Sequence, residues 1–228
     1  MKKLVVISGS GISQESGIPT FRDMGGLWKQ YDFTEVASPE AWERDPELVM
    51  DFYNFRRKGV IEAKPNKAHL LLKELEKNYD VHIVTQNVDD LHERAGSSKI
   101  LHLHGEIRKA RSTKDSSVIV EIEGSELNIG DLCPLGSQLR PHIVWFGEAV
   151  DAIPDAVNIV KQADLLLVIG TSLQVYPAAS LIHYAPAGIK KFIIDPSDYF
   201  HGINDFEHIK DTAVKGMAVL SDILIKNN

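Results

Sequence analysis

Five short apolar runs along the chain are continuous rather than alternating in polarity. They occupy residues 4–8, 81–85, 100–103, 165–169 and 192–194. Such runs are typical of strands buried on both faces, as in a parallel sheet covered by helices. Apolar residues with helical spacing lie between them, at 69–76, 90–95 and 177–184. We therefore predict an α/β fold with a doubly wound parallel sheet.

Two stretches interrupt this alternation of strands and helices. Residues 30–65 are amphipathic and aromatic, which predicts a helical excursion. Residues 106–138 are polar and contain one alternating segment, 118–122, which predicts a small β-rich insert.

Composition restricts the classes of function. The chain has 228 residues, 43% of them hydrophobic, and a formal net charge of −7, so we expect neither broad nucleic-acid binding nor binding to anionic membranes. A single cysteine excludes an intramolecular disulfide and indicates a reducing compartment. No apolar run approaches the roughly 18 residues of a membrane span, and the basic N-terminus leads into a strand rather than a secretion signal. We expect a soluble, cytoplasmic protein.

The loop after the first predicted strand contains Gly9 and Gly11. Glycines there allow a tight turn and a close approach of backbone amides to a phosphate. Gln14 stands where the dinucleotide fingerprint has its third glycine, so a simple turn is an equally good interpretation of these two residues alone. The loop is nevertheless long and polar, and it extends to Arg22.

Polar side chains also follow the next predicted strand. Gln86, Asn87 and Asp89 stand at its carboxyl end, where an open α/β sheet binds ligands. Either Asn87 or Asp89 could instead cap the following helix. Three polar groups in four positions favour a ligand site.

Two further segments carry candidate chemistry. His102 and His104 alternate along a strand, so they face opposite sides, and His104 at the strand end is a candidate general base. A buried, satisfied histidine is the alternative for one of them. Gly170, Thr171 and Ser172 offer a glycine and two hydroxyls after a very apolar strand.

A structural metal site is not predicted. Nine histidines and one cysteine form neither a CxxC pair nor an HExxH motif, and Cys133 is the only cysteine in the 106–138 insert.

Taken together, GSGISQESGIPTFRD, TQNVDDLHERAG, LHLHGE, PHIVWFGE and GTSLQVYPA resemble the motifs of the sirtuins, NAD-dependent protein-lysine deacylases. Their order and spacing match over nearly the whole chain. The resemblance implies a large Rossmann-like domain of residues 1–29, 66–105 and 139–228. It also implies a small domain formed by the two insertions, 30–65 and 106–138.

The resemblance also implies the site residues. The NAD-binding residues would be Gly9, Ser10, Gly11, Ile12, Thr20, Phe21, Arg22, Gln86, Asn87, Asp89, Gly170, Thr171, Ser172, Asp195 and Ala218. His104 and Asn87 would be catalytic. The segment Val144, Trp145, Phe146, Gly147 and Glu148 would pair with the backbone of an acyl-lysine peptide as an added strand.

The chemistry that the resemblance implies has two stages. The acyl oxygen attacks the ribose carbon as nicotinamide leaves, and His104 then acts as general base on a ribose hydroxyl. The products would be lysine, nicotinamide and O-acyl-ADP-ribose.

The sequence departs from the family pattern in three respects. Ser10 replaces an alanine, and Asp195 stands where an asparagine commonly contacts the adenine ribose. Most members carry two cysteine pairs that bind a structural zinc, of which only Cys133 remains here. We therefore predict that zinc is absent and that the insert is held by its own packing or is partly mobile.

One helical stretch indicates which acyl group the enzyme would remove from lysine, namely succinyl or malonyl. Tyr53 and Arg56, at i and i+3, match a Tyr-x-x-Arg pair of the desuccinylase and demalonylase branch, and Ala37 matches its small pocket residue. A guanidinium can bind a carboxylate bidentately while a phenol donates a further hydrogen bond. A solvated helix charge is the alternative for Arg56, and it is what we expect for Arg57.

Two other functions remain open from the sequence. The chain could be a protein mono-ADP-ribosyltransferase that uses the same NAD site, or a non-catalytic NAD or ADP-ribose-binding module. The retained Asn87, Asp89 and His104 speak against the second of these.

Overall fold

The computed structural model describes residues 1–20, 33–197 and 205–226. The predicted site residues Phe21 and Arg22 lie outside these ranges. Within them, the strands in chain order are β1 (Lys3–Ser8), β2 (Asp80–Thr85), β3 (Ile100–His102), β4 (Gly105–Ser112), β5 (Ile119–Glu121), β6 (Leu139–Ile143), β7 (Leu165–Ile169), β8 (Lys190–Ile194) and β9 (Glu207–Ile209).

The helices of the same ranges lie between these strands and, for the last one, after β9. They are α1 (Gly11–Gln14), α2 (Phe33–Val36), α3 (Pro39–Arg44), α4 (Pro46–Glu62), α5 (Lys67–Leu75), α6 (Leu91–Arg94), α7 (Ile153–Val160) and α8 (Ala213–Lys226), with a 3₁₀ helix over Ala178–Tyr184.

Six strands form a parallel sheet in the order β3-β2-β1-β7-β8-β9. The chain adds strands on one side of β1 and then returns to add β7, β8 and β9 on the other. The carboxyl ends of β1 and β7 therefore form the topological switch point, where sheets of this type bind ligands. The predicted α/β doubly wound fold is confirmed.

Both faces of the sheet are buried, which explains the continuous apolar runs. Leu4 and Val6 of β1 pack on one face with α5 and α8, and Val5 and Ile7 pack on the other with α7 and the 3₁₀ helix. Successive residues of a strand point to opposite faces, so each residue of such a strand has to be apolar.

A small antiparallel sheet has the strand order β5-β4-β6. It packs against α2, α3 and α4 and has its own apolar core. The predicted helical excursion and the predicted β-rich insert are both present. Leu139–Ile143, which we assigned to the last segment of the large domain, pairs with β4 in this small sheet.

Two cap sequences explain where α3 and α4 begin. In Ser38-Pro39 and Asp45-Pro46 the first residue accepts a hydrogen bond from a backbone amide three positions on, at 3.0 and 2.9 Å. Proline at the first helical position has the right φ and lacks an N–H that would be unpaired there. The Asp45 cap sets the register of α4, whose buried face includes Tyr53.

Candidate active site

The loops after β1 and β7 are in direct contact at the switch point. The Gly9 amide donates to the Ile169 oxygen at 3.0 Å, and the Gly11 amide donates to the Gly170 oxygen at 2.8 Å. A Cβ on Gly11 would lie 2.7 Å from the Gly170 Cα. These glycines permit two loops to touch, and our expectation that their amides point at a phosphate is wrong because both donors are already used.

The loop after β2 joins the same site through buried hydrogen bonds. The Ser13 hydroxyl donates to the Asp89 carboxylate at 3.0 Å and accepts from the Asn87 amide group at 3.1 Å. The Gln86 amide group donates to the Thr171 hydroxyl at 3.1 Å. The structure therefore brings together predicted residues from three separate loops.

Asp89 also performs the simpler role that we left open. Its carboxylate accepts from the Leu91 amide at 3.1 Å, at the start of α6. Burial raises the pKa of Asp89, opposed by the hydrogen bonds from Leu91 and Ser13. Ser13, the buried residue that connects Asn87 with Asp89, was missed from the sequence, where it lacked any spacing signal.

His104 lies between β3 and β4, and a backbone carbonyl sets the tautomer of its imidazole. Its Nδ1 lies 3.0 Å from the Gln86 carbonyl oxygen. Because a carbonyl can only accept, Nδ1 carries the proton and Nε2 has the free lone pair. Burial lowers the pKa of His104, opposed by this hydrogen bond, so the imidazole is neutral at pH 7. It therefore has the form that a general base requires.

His102 is a satisfied structural histidine, one of the two alternatives predicted. Its Nδ1 lies 2.9 Å from the Asn87 carbonyl oxygen, and its Nε2 lies 2.8 Å from the Glu93 carboxylate. Burial lowers the pKa of His102, but the hydrogen bond and charge of Glu93 outweigh it and raise the pKa overall. His102 thereby holds the backbone of Asn87 in place.

Tyr53 lies on the buried face of α4. Its side chain is 1% exposed and packs with Ala37 and Trp145. Burial raises the pKa of Tyr53 to about 12, so the phenol stays protonated.

Arg56 lies beside Tyr53 at the edge of the same face. Its guanidinium carbon is 5.6 Å from the centre of the Phe52 ring and 5.9 Å from that of Tyr53. Burial lowers the pKa of Arg56, opposed by electrostatic interactions with Tyr53 and Asp89, which puts Arg56 within electrostatic reach of the Asn87–Asp89 loop. Among the described residues, no carboxylate forms a salt bridge with it.

Our expectation for Arg57 is wrong. The side chain is fully buried, and its Nε donates to the Ile107 oxygen at 2.6 Å while Nη1 donates to Asn54 and to the Ser125 oxygen. In a helix, Arg57 at i+4 is displaced about 40° from Tyr53 and Arg56 at i+3 about 60° in the other direction. Both arginines therefore flank Tyr53, and neither faces away from the core.

The segment 144–148 is a turn after β6. The amides of Val144 and Phe146 donate to the oxygens of His104 and Ala37, each at 3.0 Å. The Trp145 amide donates to Glu148 at 2.8 Å. An added peptide strand would therefore have to bond through other backbone groups here. Gly147 has φ +90°, which suits a glycine at this turn.

The remaining predicted residues have various positions. Ser10, Ile12 and Ser172 adjoin the two switch-point loops, and Thr20 is buried at the end of the first described range. The Asp195 carboxylate accepts from the Ser197 amide at 2.9 Å. Ala218 lies in α8, whose first residues are joined to the loop after α1 by the Val214 amide, which donates to Glu15 at 2.9 Å.

Metal and membrane features were searched over the described ranges. There, no group of three or more His, Cys, Asp or Glu side chains is placed to hold a metal ion. Within the same ranges, no helix combines the length and the apolar character needed to cross a membrane.

Comparison with known proteins agrees with this site. A sequence profile of the Sir2 family matches residues 9–177. An NAD-dependent protein deacylase of Helicobacter pylori is 55% identical over 227 residues, covering 99% of each chain. A second, of Bacteroides thetaiotaomicron, is 52% identical over 231 residues with 99% coverage of each chain.

Solved structures show the same similarity. The crystal structure of a Sir2 homolog–NAD complex has a TM-score of 0.90 and 41% identity, covering 99% of this chain and 90% of the other. A Sir2 complex with a deacetylated p53 peptide and 3'-O-acetyl ADP-ribose has a TM-score of 0.79 and 33% identity, covering 96% and 92%.

The fold and these relatives define an NAD-dependent enzyme built on a doubly wound sheet. The chain belongs to the Sir2 family. The predicted enzyme class, an NAD-dependent protein deacylase of the sirtuin type, is thereby confirmed.

Proposed function

We propose that this Sir2-family deacylase prefers lysine acyl groups that end in a carboxylate, such as succinyl and malonyl, over acetyl. The observation that carries the proposal is Arg56, a partly buried guanidinium that lies 5.9 Å from the centre of the Tyr53 ring and forms no salt bridge with a carboxylate of the described chain. A carboxylate of the substrate would supply the missing partner.

A neutral acetyl group would leave the guanidinium without that partner. Desolvating an unpaired charged donor is unfavourable, so the site discriminates against substrates that cannot pair with it. The small buried side chain of Ala37, packed in the same cluster as Tyr53, leaves room for the longer acyl chain.

The switch-point loops fit NAD by their chemistry. Asn87 and Asp89 are buried polar groups, 6% and 4% exposed, that can hold an amide and ribose hydroxyls. Gly9, Gly11 and Gly170 allow the loops after β1 and β7 to pack closely here, since a Cβ on Gly170 would lie 2.3 Å from the Ile12 nitrogen. When bound, NAD supplies the ribose carbon that accepts the acyl oxygen as nicotinamide leaves.

His104 is proposed as the general base of the reaction. Its Nδ1 proton is held by the Gln86 oxygen, so Nε2 is the atom that takes a proton from a ribose hydroxyl. Because Gln86 and Asn87 are adjacent, the base and the nicotinamide-side amide have fixed relative positions.

The acyl preference is tested with NAD and three matched peptides carrying succinyl-, malonyl- or acetyl-lysine. The readouts are the mass loss of each peptide, nicotinamide release and kcat/KM. Arg56→Met should lower kcat/KM for the succinyl peptide about 10- to 100-fold, the range of a lost charged hydrogen bond, while acetyl turnover changes by less than about threefold. Lys58→Met, an exposed lysine two residues on, is the matched control.

Other outcomes would overturn the proposal. If Arg56→Met lowered kcat/KM equally for the succinyl and acetyl peptides, Arg56 would not recognise the acyl carboxylate. Transfer of label from NAD to protein without deacylation would identify an ADP-ribosyltransferase, and NAD binding without nicotinamide release would identify a binding module.

We further propose that the small domain folds without a structural zinc. Cys133 is buried in an apolar cluster with Met50, Ala110 and Ile122. Apolar packing would therefore stabilise this part of the small domain instead of a bound metal ion. Elemental analysis of the purified protein should find far less than one zinc per chain, and EDTA should leave Tm unchanged. Stoichiometric zinc would contradict this proposal.

A further inference from the structure

Trp145 contacts Tyr53, a residue of the proposed acyl pocket, through its side chain. Its indole is 2% exposed, and its Nε1–H donates to the Tyr53 hydroxyl oxygen at 3.1 Å. This hydrogen bond is buried and joins the turn after β6 to the buried face of α4.

The direction of this hydrogen bond determines what Tyr53 can do. Indole nitrogen is only a donor, so the phenol oxygen is the acceptor. The Tyr53 hydroxyl cannot donate its own proton to the indole nitrogen, so the O–H has to point away from Trp145. Among the described residues, the Tyr53 hydroxyl accepts this hydrogen bond and donates none. Its proton is therefore available to a ligand.

The indole itself is held from two directions. The Arg140 guanidinium carbon lies 3.3 Å from the centre of the Trp145 ring, and Arg140 binds Glu148 bidentately at 2.7 and 2.9 Å. Glu148 also accepts from the Trp145 amide at 2.8 Å and from Arg111 at 3.0 Å. An ion pair therefore fixes both the ring face and the backbone of Trp145.

We propose that Trp145 is a positioning residue for acyl specificity. Its indole N–H occupies a lone pair of the Tyr53 oxygen, so that the phenol presents its proton to the acyl carboxylate, and the Arg140–Glu148 pair keeps the indole in place. The proposal rests on the proposed function, since it concerns the carboxylate that Arg56 would bind. It assigns Glu148 an indirect role, through Trp145, rather than contact with the substrate.

The test compares Trp145→Phe, Tyr53→Phe and the double variant on the succinyl and acetyl peptides. Phenylalanine keeps an aromatic ring for Arg140 but removes the N–H. We expect Trp145→Phe to raise KM for the succinyl peptide about fivefold, with KM for the acetyl peptide changed less than twofold. In the Tyr53→Phe background, the same substitution should have no further effect on the succinyl-to-acetyl ratio.

A spectroscopic readout tests the hydrogen bond independently of activity. The chain has three tryptophans, so the ¹⁵N–¹H signal of the Trp145 indole can be assigned by substitution. Tyr53→Phe should shift that signal, whereas the Trp42 signal should stay in place. Trp42→Phe is the matched control for kinetics, because its ring lies 5.8 Å from that of Trp145 in the same cluster.

Two results would overturn the positioning role. One is an equal effect of Trp145→Phe on both peptides, or an additive effect with Tyr53→Phe. The other is an indole signal that Tyr53→Phe leaves unchanged. Failure of the proposed function is distinguishable, because the wild-type enzyme would then show no acidic preference while the indole signal still reported the hydrogen bond.

Discussion

At the residue scale, Arg57 is an unusual member of the interior. Among the fully buried side chains of the described residues, that of Arg57 is the largest. Its guanidinium donates to the backbone oxygens of Ile107 in β4 and of Ser125. Burial lowers its pKa to about 10, so the side chain is still charged at neutral pH. A buried cation with several carbonyl partners holds separate segments of the small domain to α4.

Removal of this guanidinium should therefore destabilise the protein. Arg57→Met leaves buried carbonyl oxygens without a donor, and we expect the free energy of unfolding to fall by about 2–4 kcal/mol. Urea denaturation followed by circular dichroism measures this change. Lys58→Met, at an exposed neighbouring position, should stay within about 0.5 kcal/mol. A loss for Arg57→Met as small as that of the control would mean that its hydrogen bonds contribute little.

Arg56 and Arg57 show what residue spacing can and cannot resolve. Positions i+3 and i+4 both adjoin Tyr53 on a helix, and the sequence contains an arginine at each. The Tyr-x-x-Arg pattern distinguishes Arg56, but the burial of Arg57 depends on carbonyl oxygens about 50 and 68 residues away. Local spacing carries no information on those partners.

At the element scale, the two long helices that flank the site differ in how tightly they pack. α4 has an exposed glycine, Gly59, where an added Cβ would meet nothing within 4 Å. α8 has a buried glycine, Gly216, where an added Cβ would lie 2.3 Å from Cγ2 of Ile194 in β8. The same residue type therefore has opposite roles in the two helices.

The same substitution should consequently change stability in opposite directions. Gly59→Ala should raise the free energy of unfolding by about 0.5–1 kcal/mol, because alanine favours the helix. Gly216→Ala should lower it by about 1–3 kcal/mol, because α8 has to move off the sheet. Urea midpoints of the two variants, compared with wild type, test both. A change of the same sign in both variants would show that helix propensity rather than packing decides.

Helix and strand positions themselves were largely predictable. The strand 165–169 was predicted at its observed bounds, and the helix predicted at 69–76 is α5, Lys67–Leu75. Apolar periodicity and caps are local signals, so they need no knowledge of the partner elements. The third strand of the small sheet, β6, was not separated from the large domain, because its short sequence LRPHI contains a proline, which is disfavoured inside a sheet.

At the scale of the whole molecule, the site is assembled where the strand order reverses. Loops after β1, β2 and β7 meet through the Gly11–Gly170 and Gln86–Thr171 hydrogen bonds, and α4 adds Tyr53 and Arg56 from the small domain. The backbone of His104 bonds to Val144, so the proposed base is joined to the turn that carries Trp145. The cofactor loops and the proposed acyl pocket are thus parts of one connected structure.

The sequence by itself determined the sheet type, the loops that form the site and the family, because apolar periodicity, turn residues and motif order are local along the chain. Tertiary structure alone decided that the amides of Gly9 and Gly11 bind a neighbouring loop, that Arg57 is buried and that Glu148 holds Trp145. Each of these depends on which donor meets which acceptor after folding. The physical reason is that a buried polar group has to find a partner in space, and its distance along the chain does not reveal that partner.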